Sequence, residues 1–277
     1  MLRDFVLKLF SEHNSELKIG LFDCWHILFL AITFGTALII PLIFKNKSEK
    51  TKKRVVDLFA YLTITLYVID FFIMPLSDSY SGISSYKLPF NICTLSAVLV
   101  PFVQFNKRFA PIKTTVVFMG MAGSLMWMCY PGTALGGQPP FCYLILQTFF
   151  YHSVLFCYCV YTIALGDVKP QIKNCWKEFL GVLCMFAWAK FGNAVYGKGN
   201  NWFFIETTIF PFLRDQDMPY VVIASVFGVI LVLYGIYYLI CAIDKRARRP
   251  KLSVDKETPK ADASASREEP AFEETLK

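Results

Sequence analysis

The sequence has 277 residues, of which 55% are hydrophobic, 17% aromatic and 18% charged. Soluble domains are typically about 45–50% apolar and about 25% charged, and several apolar runs here approach the roughly 20 residues that a helix needs to cross a bilayer, so an ordinary soluble domain is excluded. The formal net charge of +7 does not indicate nucleic-acid binding, because the basic residues cluster in short loops and just after the last apolar run, as they do at membrane boundaries.

The chain begins with a short arm, residues 1–20, in which apolar residues recur at helical spacing and indicate an amphipathic segment. Seven apolar runs follow, and each predicts a membrane-spanning helix: Leu21–Phe44, Val55–Leu76, Leu88–Phe105, Pro111–Tyr130, Phe141–Leu165, Trp176–Tyr196 and Pro219–Ile243. From residue 244 to 277 the composition changes to Lys, Arg, Glu, Ser, Ala and Pro, which is typical of a disordered tail. We therefore predict an all-α polytopic membrane protein: a seven-transmembrane-helix bundle over residues 21–243, between an arm (1–20) and a tail (244–277).

The fourth span contains a run of small residues, Gly120, Ala122, Gly123 and Ser124. Small residues allow two helices to approach closely inside a membrane, so we expect tight packing of this helix against its neighbours. The stretch after it, Pro131–Pro140, has no charge and is rich in Gly and Pro, which predicts a loop.

The distribution of basic residues predicts which way the helices run. The first loop, Lys45–Arg54, holds six basic residues against one Glu, and Lys245–Lys251 after the last span holds five. The second loop holds only Lys87, and the fourth holds none. Because basic residues are enriched on the cytosolic side, we predict that the N-terminus is outside or lumenal and that the C-terminus is cytosolic.

Polar side chains inside the predicted spans fall near their outer ends. With this orientation Asp70, Cys93, Lys190 and Asn193 lie within about two turns of the outer boundary, at about 1.5 Å per residue, and His152 lies nearer the midplane. Ionisable residues inside a membrane are costly and usually face a bundle interior or a cavity. We therefore predict a polar cavity that opens toward the lumenal leaflet.

Two of these side chains are candidates for covalent chemistry, and each has a structural alternative. His152, within FFYHSVLF, either packs with a hydrogen-bond partner on another helix or acts as a general base beside a nucleophile. Cys93 is apolar filler, or half of a disulfide, since Cys129 and Cys142 flank an outer loop, or a nucleophile activated by such a base. The residues alone leave these alternatives open.

The remaining charged residues also have two interpretations. Asp70 and Lys190 form either a buried ion pair without a catalytic part or part of the functional site. No Cys-x-x-Cys pair occurs, and Cys157 and Cys159 point to different faces of a helix. We therefore expect no metal site.

The order of several motifs resembles the transmembrane protein 164 / YwaF-like integral membrane family, over about Val55–Ile243. The matching pieces are Leu88-Pro89 before Cys93, Phe149-Phe150-Tyr151-His152, Lys169-Pro170, Asn193, Gly197, Asn200-Asn201 before Trp202, and Pro219-Tyr220. One position departs from the family pattern L-P-x-H-x-C, because Asn91 stands in place of its histidine. The assignment of a general base in this chain therefore depends on His152 alone.

The resemblance implies a phospholipid acyltransferase that moves fatty acyl chains between glycerophospholipids, with phospholipids and lysophospholipids as its partners. It implies Cys93 as the nucleophile that forms a thioester and His152 as the base that takes its proton. The other expected site residues, as oxyanion donors or cavity-lining groups, are Asn91, Asp70, Lys190, Asn193 and Asn201. No nucleotide or coenzyme motif is present, so we expect no cofactor.

A polytopic transporter or receptor-like protein with a polar cavity on its outer side is the competing interpretation. Seven helices with an outer N-terminus match a receptor topology, but Asn106-Lys107-Arg108 stands where a receptor D-R-Y motif would follow the third helix. A transporter would use Asp70 and Lys190 as its ion or substrate site, but no internal repeat is visible. We expect a multi-pass protein of the endoplasmic reticulum or another endomembrane, with no nucleic-acid partner; the sequence leaves the oligomeric state open.

Overall fold

A computed structural model describes residues 18–73, 87–131, 139–196, 201–207 and 214–247. These ranges contain helices, turns and short connections but no strand, which confirms the predicted all-α class. The predictions for the arm before residue 18, for the tail from residue 248 and for most of the loop after the fourth span lie outside the described residues.

Seven α-helices occur in these ranges: α1 (Cys24–Phe44), α2 (Glu49–Ile73), α3 (Ile92–Phe105), α4 (Lys113–Cys129), α5 (Tyr143–Ala164), α6 (Cys175–Tyr196) and α7 (Met218–Ala247). Short 3-10 helices lie at Lys107–Ile112, Ile172–Asn174, Trp202–Phe204 and Asp215–Asp217. Six of the described helices are long and apolar enough to cross a membrane, so the chain is a multi-pass membrane protein. The α3 helix has 14 residues, fewer than the roughly 20 of a full span. A seventh crossing and the orientation of the termini therefore remain predictions.

The third predicted span begins as a turn rather than as a helix. The Phe90 N–H donates to the Leu88 carbonyl at 2.8 Å, and Asn91 has an extended backbone (φ −91°, ψ 154°) as the N-cap of α3. Asparagine is favoured at this position, and the Asn91 N–H donates to the Thr94 hydroxyl at 3.3 Å. The α3 helix therefore begins at Ile92 rather than at Leu88.

The α4 and α5 helices form the centre of the helix packing. The α5 helix packs against α1, α2 and α4, and the α4 helix packs also against α3 and α6. Most of the residues of α4 and α5 are buried, whereas α1 and α7 expose most of their apolar side chains, as helices that face lipid do. Cys93 packs against both of the two large buried clusters that fill the space between these helices.

Four glycines lie at the closest approaches between helices. At Gly181 of α6, an added Cβ would lie 2.4 Å from the Thr115 side chain of α4. A Cβ added at Gly120 would lie 3.1 Å from the Cys159 sulfur, and one at Gly123 would lie 2.5 Å from the Ile92 side chain. The tight packing expected for the small residues of the fourth span is confirmed at these two positions. On α6, a Cβ added at Gly192 would lie 2.5 Å from the Phe90 ring, so this glycine lets the turn before α3 pack against α6.

Gly192→Ala is expected to lower the free energy of unfolding by about 1–3 kcal/mol, because an inserted methyl group forces a well-packed core to shift. The matched control is Gly228→Ala in α7, where an added Cβ meets no atom within 4 Å. The control is expected to be neutral or stabilising by up to about 1 kcal/mol, since alanine favours helices over glycine. Thermal unfolding in detergent measures both variants. Equal shifts in the two variants would contradict a close contact at Gly192.

Candidate active site

Residues 87–91, the anchored turn, lead into α3 and are held by side chains of several helices. Four of its carbonyls accept side-chain hydrogen bonds: Lys87 from Tyr67 of α2 (2.7 Å), Pro89 from Trp188 of α6 (2.7 Å), and both Leu88 and Asn91 from the Thr94 hydroxyl of α3 (3.1 Å each). No water is available inside an apolar bundle, so backbone groups outside a helix must find partners within the protein. The anchored turn meets this requirement and fixes the start of α3.

Cys93 is the second residue of α3 and is partly buried. The first intrahelical hydrogen bond of α3 is donated by the Leu95 N–H to the Asn91 carbonyl at 2.9 Å, so the Cys93 N–H has no partner within the helix. The unpaired N–H groups and the helix dipole at this end favour an anion. This end of α3 therefore presents backbone donors to the Cys93 side chain.

His152 of α5 presents one ring nitrogen without a partner. Its Nδ1 lies 2.7 Å from the Thr148 carbonyl oxygen, which can only accept a hydrogen bond, so Nδ1 carries the proton and Nε2 carries the lone pair. The Nε2 atom is buried and has no hydrogen-bond partner in the described part of the chain. Trp127 stacks on the imidazole with ring centroids 4.0 Å apart and planes 8° apart. The ring is thus fixed with an available base inside the protein.

Tyr151 links Cys93 to His152, which do not contact each other directly. The Tyr151 hydroxyl donates to the Cys93 carbonyl at 2.9 Å, and the Tyr151 ring lies 4.9 Å from the His152 ring. The Lys87 ammonium donates to the side-chain oxygen of Gln147, which lies on the same helix as His152. Because His152 Nε2 has no partner, it is not hydrogen-bonded to the thiol in this conformation.

His26 shows what a structural histidine looks like in the same bundle. Its Nδ1 accepts from the Phe22 N–H at 2.9 Å, and its Nε2 lies 2.7 Å from the Met128 carbonyl oxygen, to which it donates. Both ring nitrogens are therefore used, and the side chain is fully buried. His26 fastens the start of α1 to the end of α4. His13 lies outside the described residues.

Three predicted site residues, Asn91, Asn193 and Asn201, fasten the segment 201–207. Asn91 Oδ1 accepts from the Phe203 N–H at 2.9 Å. Asn193 Oδ1 accepts from the Trp202 N–H at 3.0 Å, and its Nδ2 donates to the Trp202 carbonyl at 3.4 Å. Asn201 binds within its own segment through both its oxygen and its nitrogen.

The fastened segment has a strained backbone. Phe203 and Phe204 have positive φ angles of 62° and 52°, a conformation that costs a residue other than glycine on the order of 1–3 kcal/mol. Phe203 is nevertheless almost completely buried. The hydrogen bond from its N–H to Asn91 and the packing around it hold this conformation beside the N-terminal end of α3.

Asp70 is buried and forms an ion pair with Lys87, not with Lys190. Its other oxygen accepts from the Tyr143 hydroxyl at 2.9 Å. Lys190 instead lies 3.9 Å from Glu206, with both side chains about half exposed. The Asp70–Lys190 ion pair considered from the sequence is therefore wrong. The α2 helix, which carries Asp70, packs mainly against α3 and α5 rather than against α6.

The structure also bears on the other interpretations of the cysteines. All nine cysteines are free, so a disulfide at Cys93 is not present. Cys157 and Cys159 are buried in the apolar core, as filler residues would be. The described ranges contain no group of three or more His, Cys, Asp or Glu residues that could hold a metal ion.

A second polar cluster, missed in the sequence, lies at the other end of α3. Gln104 donates to Asp57 at 2.6 Å and accepts from the Tyr158 hydroxyl at 3.1 Å. Lys113 forms an ion pair with Asp167 at 2.5 Å, and Gln104 also donates to Asp167 at 3.3 Å. The sequence did contain a sign of this cluster, because several predicted spans carry a polar residue near the same end. Lys113 and Asp167 compensate each other's charge. Since the side chains come from α2, α3, α4 and α5 and from just after α5, the cluster ties these helices together.

Comparison with known proteins identifies one family. A family model described as the TMEM164 family matches residues 21–240, which is most of the chain and nearly all of its helices. No curated protein and no solved structure matches the chain.

Asn193→Ala is expected to lower the free energy of unfolding by about 1–3 kcal/mol, because the fully buried Trp202 N–H would lose its acceptor. The Trp202 side chain is 0% exposed, so water cannot replace the lost oxygen without rearrangement. The control is Asn46→Ala at an exposed position, for which we expect a change within about 0.5 kcal/mol. Thermal unfolding with tryptophan fluorescence measures both. Equal midpoints for Asn193→Ala and the parent chain would contradict the anchoring role.

Proposed function

This chain belongs to the TMEM164 family, and we propose that it is a membrane-embedded phospholipid acyltransferase that moves fatty acyl chains between glycerophospholipids through a thioester on Cys93. The observation that carries the proposal is the buried Nε2 of His152, which has no partner among the described residues. His152 follows Tyr151, whose hydroxyl binds the carbonyl of Cys93 at the N-terminus of α3. A structural histidine in this bundle, His26, uses both ring nitrogens. We further propose a location in the endoplasmic reticulum or another endomembrane.

The first half of the proposed reaction transfers the acyl chain to the enzyme. The Cys93 side chain turns toward His152, whose Nε2 takes the thiol proton, and the thiolate attacks the carbonyl carbon of a phospholipid ester. The ester C–O bond breaks, and the departing lysophospholipid oxygen takes the proton back from the imidazolium. A thioester on Cys93 and a neutral His152 remain.

The second half reverses these steps with a different alcohol. The hydroxyl of a lysophospholipid acceptor gives its proton to His152 Nε2 and attacks the thioester carbon. The C–S bond breaks, and the sulfur leaves as a thiolate that recovers the proton from His152. The products are a new glycerophospholipid and the starting enzyme, so no cofactor is consumed.

Asn91 is the predicted oxyanion donor that the geometry favours. The Phe203 N–H can only donate, so the Asn91 oxygen must face it, and the NH₂ group of Asn91 points elsewhere with no partner among the described residues. The NH₂ groups of Asn193 and Asn201 already donate to protein oxygens. We therefore assign the oxyanion to Asn91 Nδ2 together with the unpaired N–H at Cys93.

The Cys93 proposal is tested with purified full-length protein in defined lipid that contains a labelled phospholipid and a lysophospholipid acceptor. We expect label transfer and a hydroxylamine-sensitive acyl group on Cys93 by mass spectrometry, both lost in Cys93→Ala. Cys184→Ala removes an exposed cysteine of α6 and is expected to retain transfer. Equal transfer by Cys93→Ala would exclude Cys93 as the nucleophile. No transfer by the parent chain with any lipid pair would favour the transporter or receptor interpretation.

Asn91→Asp isolates the oxyanion role from the anchoring role. Aspartate keeps an oxygen for the Phe203 N–H but replaces the NH₂ group by a second acceptor. We expect kcat to fall roughly 10²–10³-fold, as after loss of other oxyanion donors, while the thermal midpoint stays close to that of the parent chain. Steady-state kinetics and thermal unfolding measure the two effects. An unchanged kcat would exclude Asn91 from the oxyanion site.

A further inference from the structure

We propose that Lys87 binds the phosphodiester group of the glycerophospholipid that donates the acyl chain, with Asp70 and Gln147 holding the lysine in position. This inference rests on the proposed function and names the chemistry that selects its substrate. A binding group for the phosphate is needed because phospholipids and neutral glycerides carry the same acyl ester, so recognition of the ester alone does not select the phospholipid.

Lys87 is fixed by two helices and, among the described residues, keeps one N–H donor without a partner. Its ammonium forms the ion pair with Asp70 of α2 and donates to the Gln147 side-chain oxygen of α5 at 3.3 Å. An ammonium has three N–H donors, and within the described ranges the third has no partner. Its backbone carbonyl is held as well, by the Tyr67 hydroxyl at 2.7 Å.

The ion pair is oriented with its positive end toward the more accessible side. The Lys87 side chain is 17% exposed and the Asp70 side chain is 2% exposed, so the carboxylate lies deeper than the ammonium. Asp70 also accepts from the Tyr143 hydroxyl at 2.9 Å, and its charge is therefore shared between two donors. The pair avoids an unpaired buried charge when no lipid is bound, and its lysine can still form a charge-assisted hydrogen bond to a phosphate oxygen.

The position of Lys87 relative to the reacting groups fits one end of a phospholipid. Lys87 lies in the anchored turn that leads into Cys93. Its partner Gln147 also accepts from the hydroxyl of Thr148 at 3.4 Å, and the Thr148 carbonyl binds His152. In a glycerophospholipid the phosphate and the nearer acyl ester are carried by adjacent glycerol carbons. A cation beside the nucleophile is therefore where the phosphate lies when that ester carbonyl meets the thiolate.

If the ion pair were purely structural, its loss would lower acylation of Cys93 equally for every donor lipid. If Lys87 binds the phosphate, its loss lowers acylation by the phospholipid alone, and this difference provides the test. The full chain is assayed for acylation of Cys93 by phosphatidylcholine and by diacylglycerol with the same acyl chains. We expect Lys87→Gln to lower the phosphatidylcholine-to-diacylglycerol ratio of kcat/KM at least tenfold, mainly through KM for phosphatidylcholine. Lys87→Arg keeps the charge and is expected to retain most of the preference.

The double variant Asp70→Asn with Lys87→Gln controls for misfolding caused by an unpaired buried charge. It replaces the charged pair by a neutral hydrogen-bonding pair, so no buried charge is left alone. We expect it to keep a thermal midpoint near that of the parent chain and acylation by diacylglycerol, while losing the phosphatidylcholine preference. An equal fall in kcat/KM for phosphatidylcholine and diacylglycerol in this variant would overturn the proposal. A parent chain that does not prefer phosphatidylcholine would also overturn it.

A binding measurement in a variant that lacks the Cys93 thiol tests this proposal separately from the proposed function. In Cys93→Ala, photoreactive phosphatidylcholine and photoreactive diacylglycerol are compared with and without Lys87→Gln. We expect Lys87→Gln to weaken labelling by phosphatidylcholine alone, and this result does not depend on acyl transfer. Equal labelling with and without Lys87 would overturn the inference even if transfer is active. Displacement of the phospholipid probe by millimolar inorganic phosphate would identify a site for free phosphate and would also overturn it.

Discussion

Backbone groups that leave a helix inside an apolar bundle must be paired by side chains, and the anchored turn, residues 87–91, is where this constraint is met. Donors from α2, α3 and α6 bind its carbonyls, and the ring of Phe90 packs against α6 where only glycine leaves room. The turn cannot shift without breaking contacts to several helices. Cys93 follows it directly, so the same contacts determine where its sulfur lies.

The two described histidines show how the same side chain acquires different chemistry in one medium. His26 and His152 are both buried and both bind a backbone carbonyl. His26 also receives a backbone N–H, which uses its lone pair, whereas His152 keeps its lone pair without a partner. An unpartnered buried nitrogen is costly in an apolar interior. The proposed function uses this lone pair as the base that takes the Cys93 proton.

The helices were predictable from the sequence because apolar segments of membrane length are long and uninterrupted. The predicted limits of α5 and α6 differ from the observed ones by two residues or fewer at each end. The start of α2 was missed, since the basic residues before Val55 suggested a loop although Ser48 and Glu49 favour a helix start. The start of α3 was missed because Leu88 and Phe90 continue the apolar run, although Pro89 and Asn91 mark a boundary.

The sequence indicated candidate polar residues but not the contacts between them. Depth along each helix grouped Asp70 with Lys190 near the outer ends, yet it did not tell which helices are neighbours, and this decides that Asp70 meets Lys87. The same limit hid the anchoring by Asn193 and Asn201, since both partners lie in a segment without helical periodicity. Asn91 looked like the loss of a family histidine, and its bond to Phe203 is a tertiary contact that no spacing indicates.

The short length of α3 has a consequence for the lipid around it. Its 14 residues rise about 21 Å, and exposed Lys107 and Arg108 follow its C-terminal end, which places that end at a membrane boundary. The N-terminal end then lies about 9 Å short of the far side of a hydrocarbon core about 30 Å thick. A bilayer meets such a mismatch by thinning locally. Under the proposed function, such thinning would bring the glycerol esters of neighbouring lipids toward the level of Cys93, and a donor lipid would reach the thiol without leaving its leaflet.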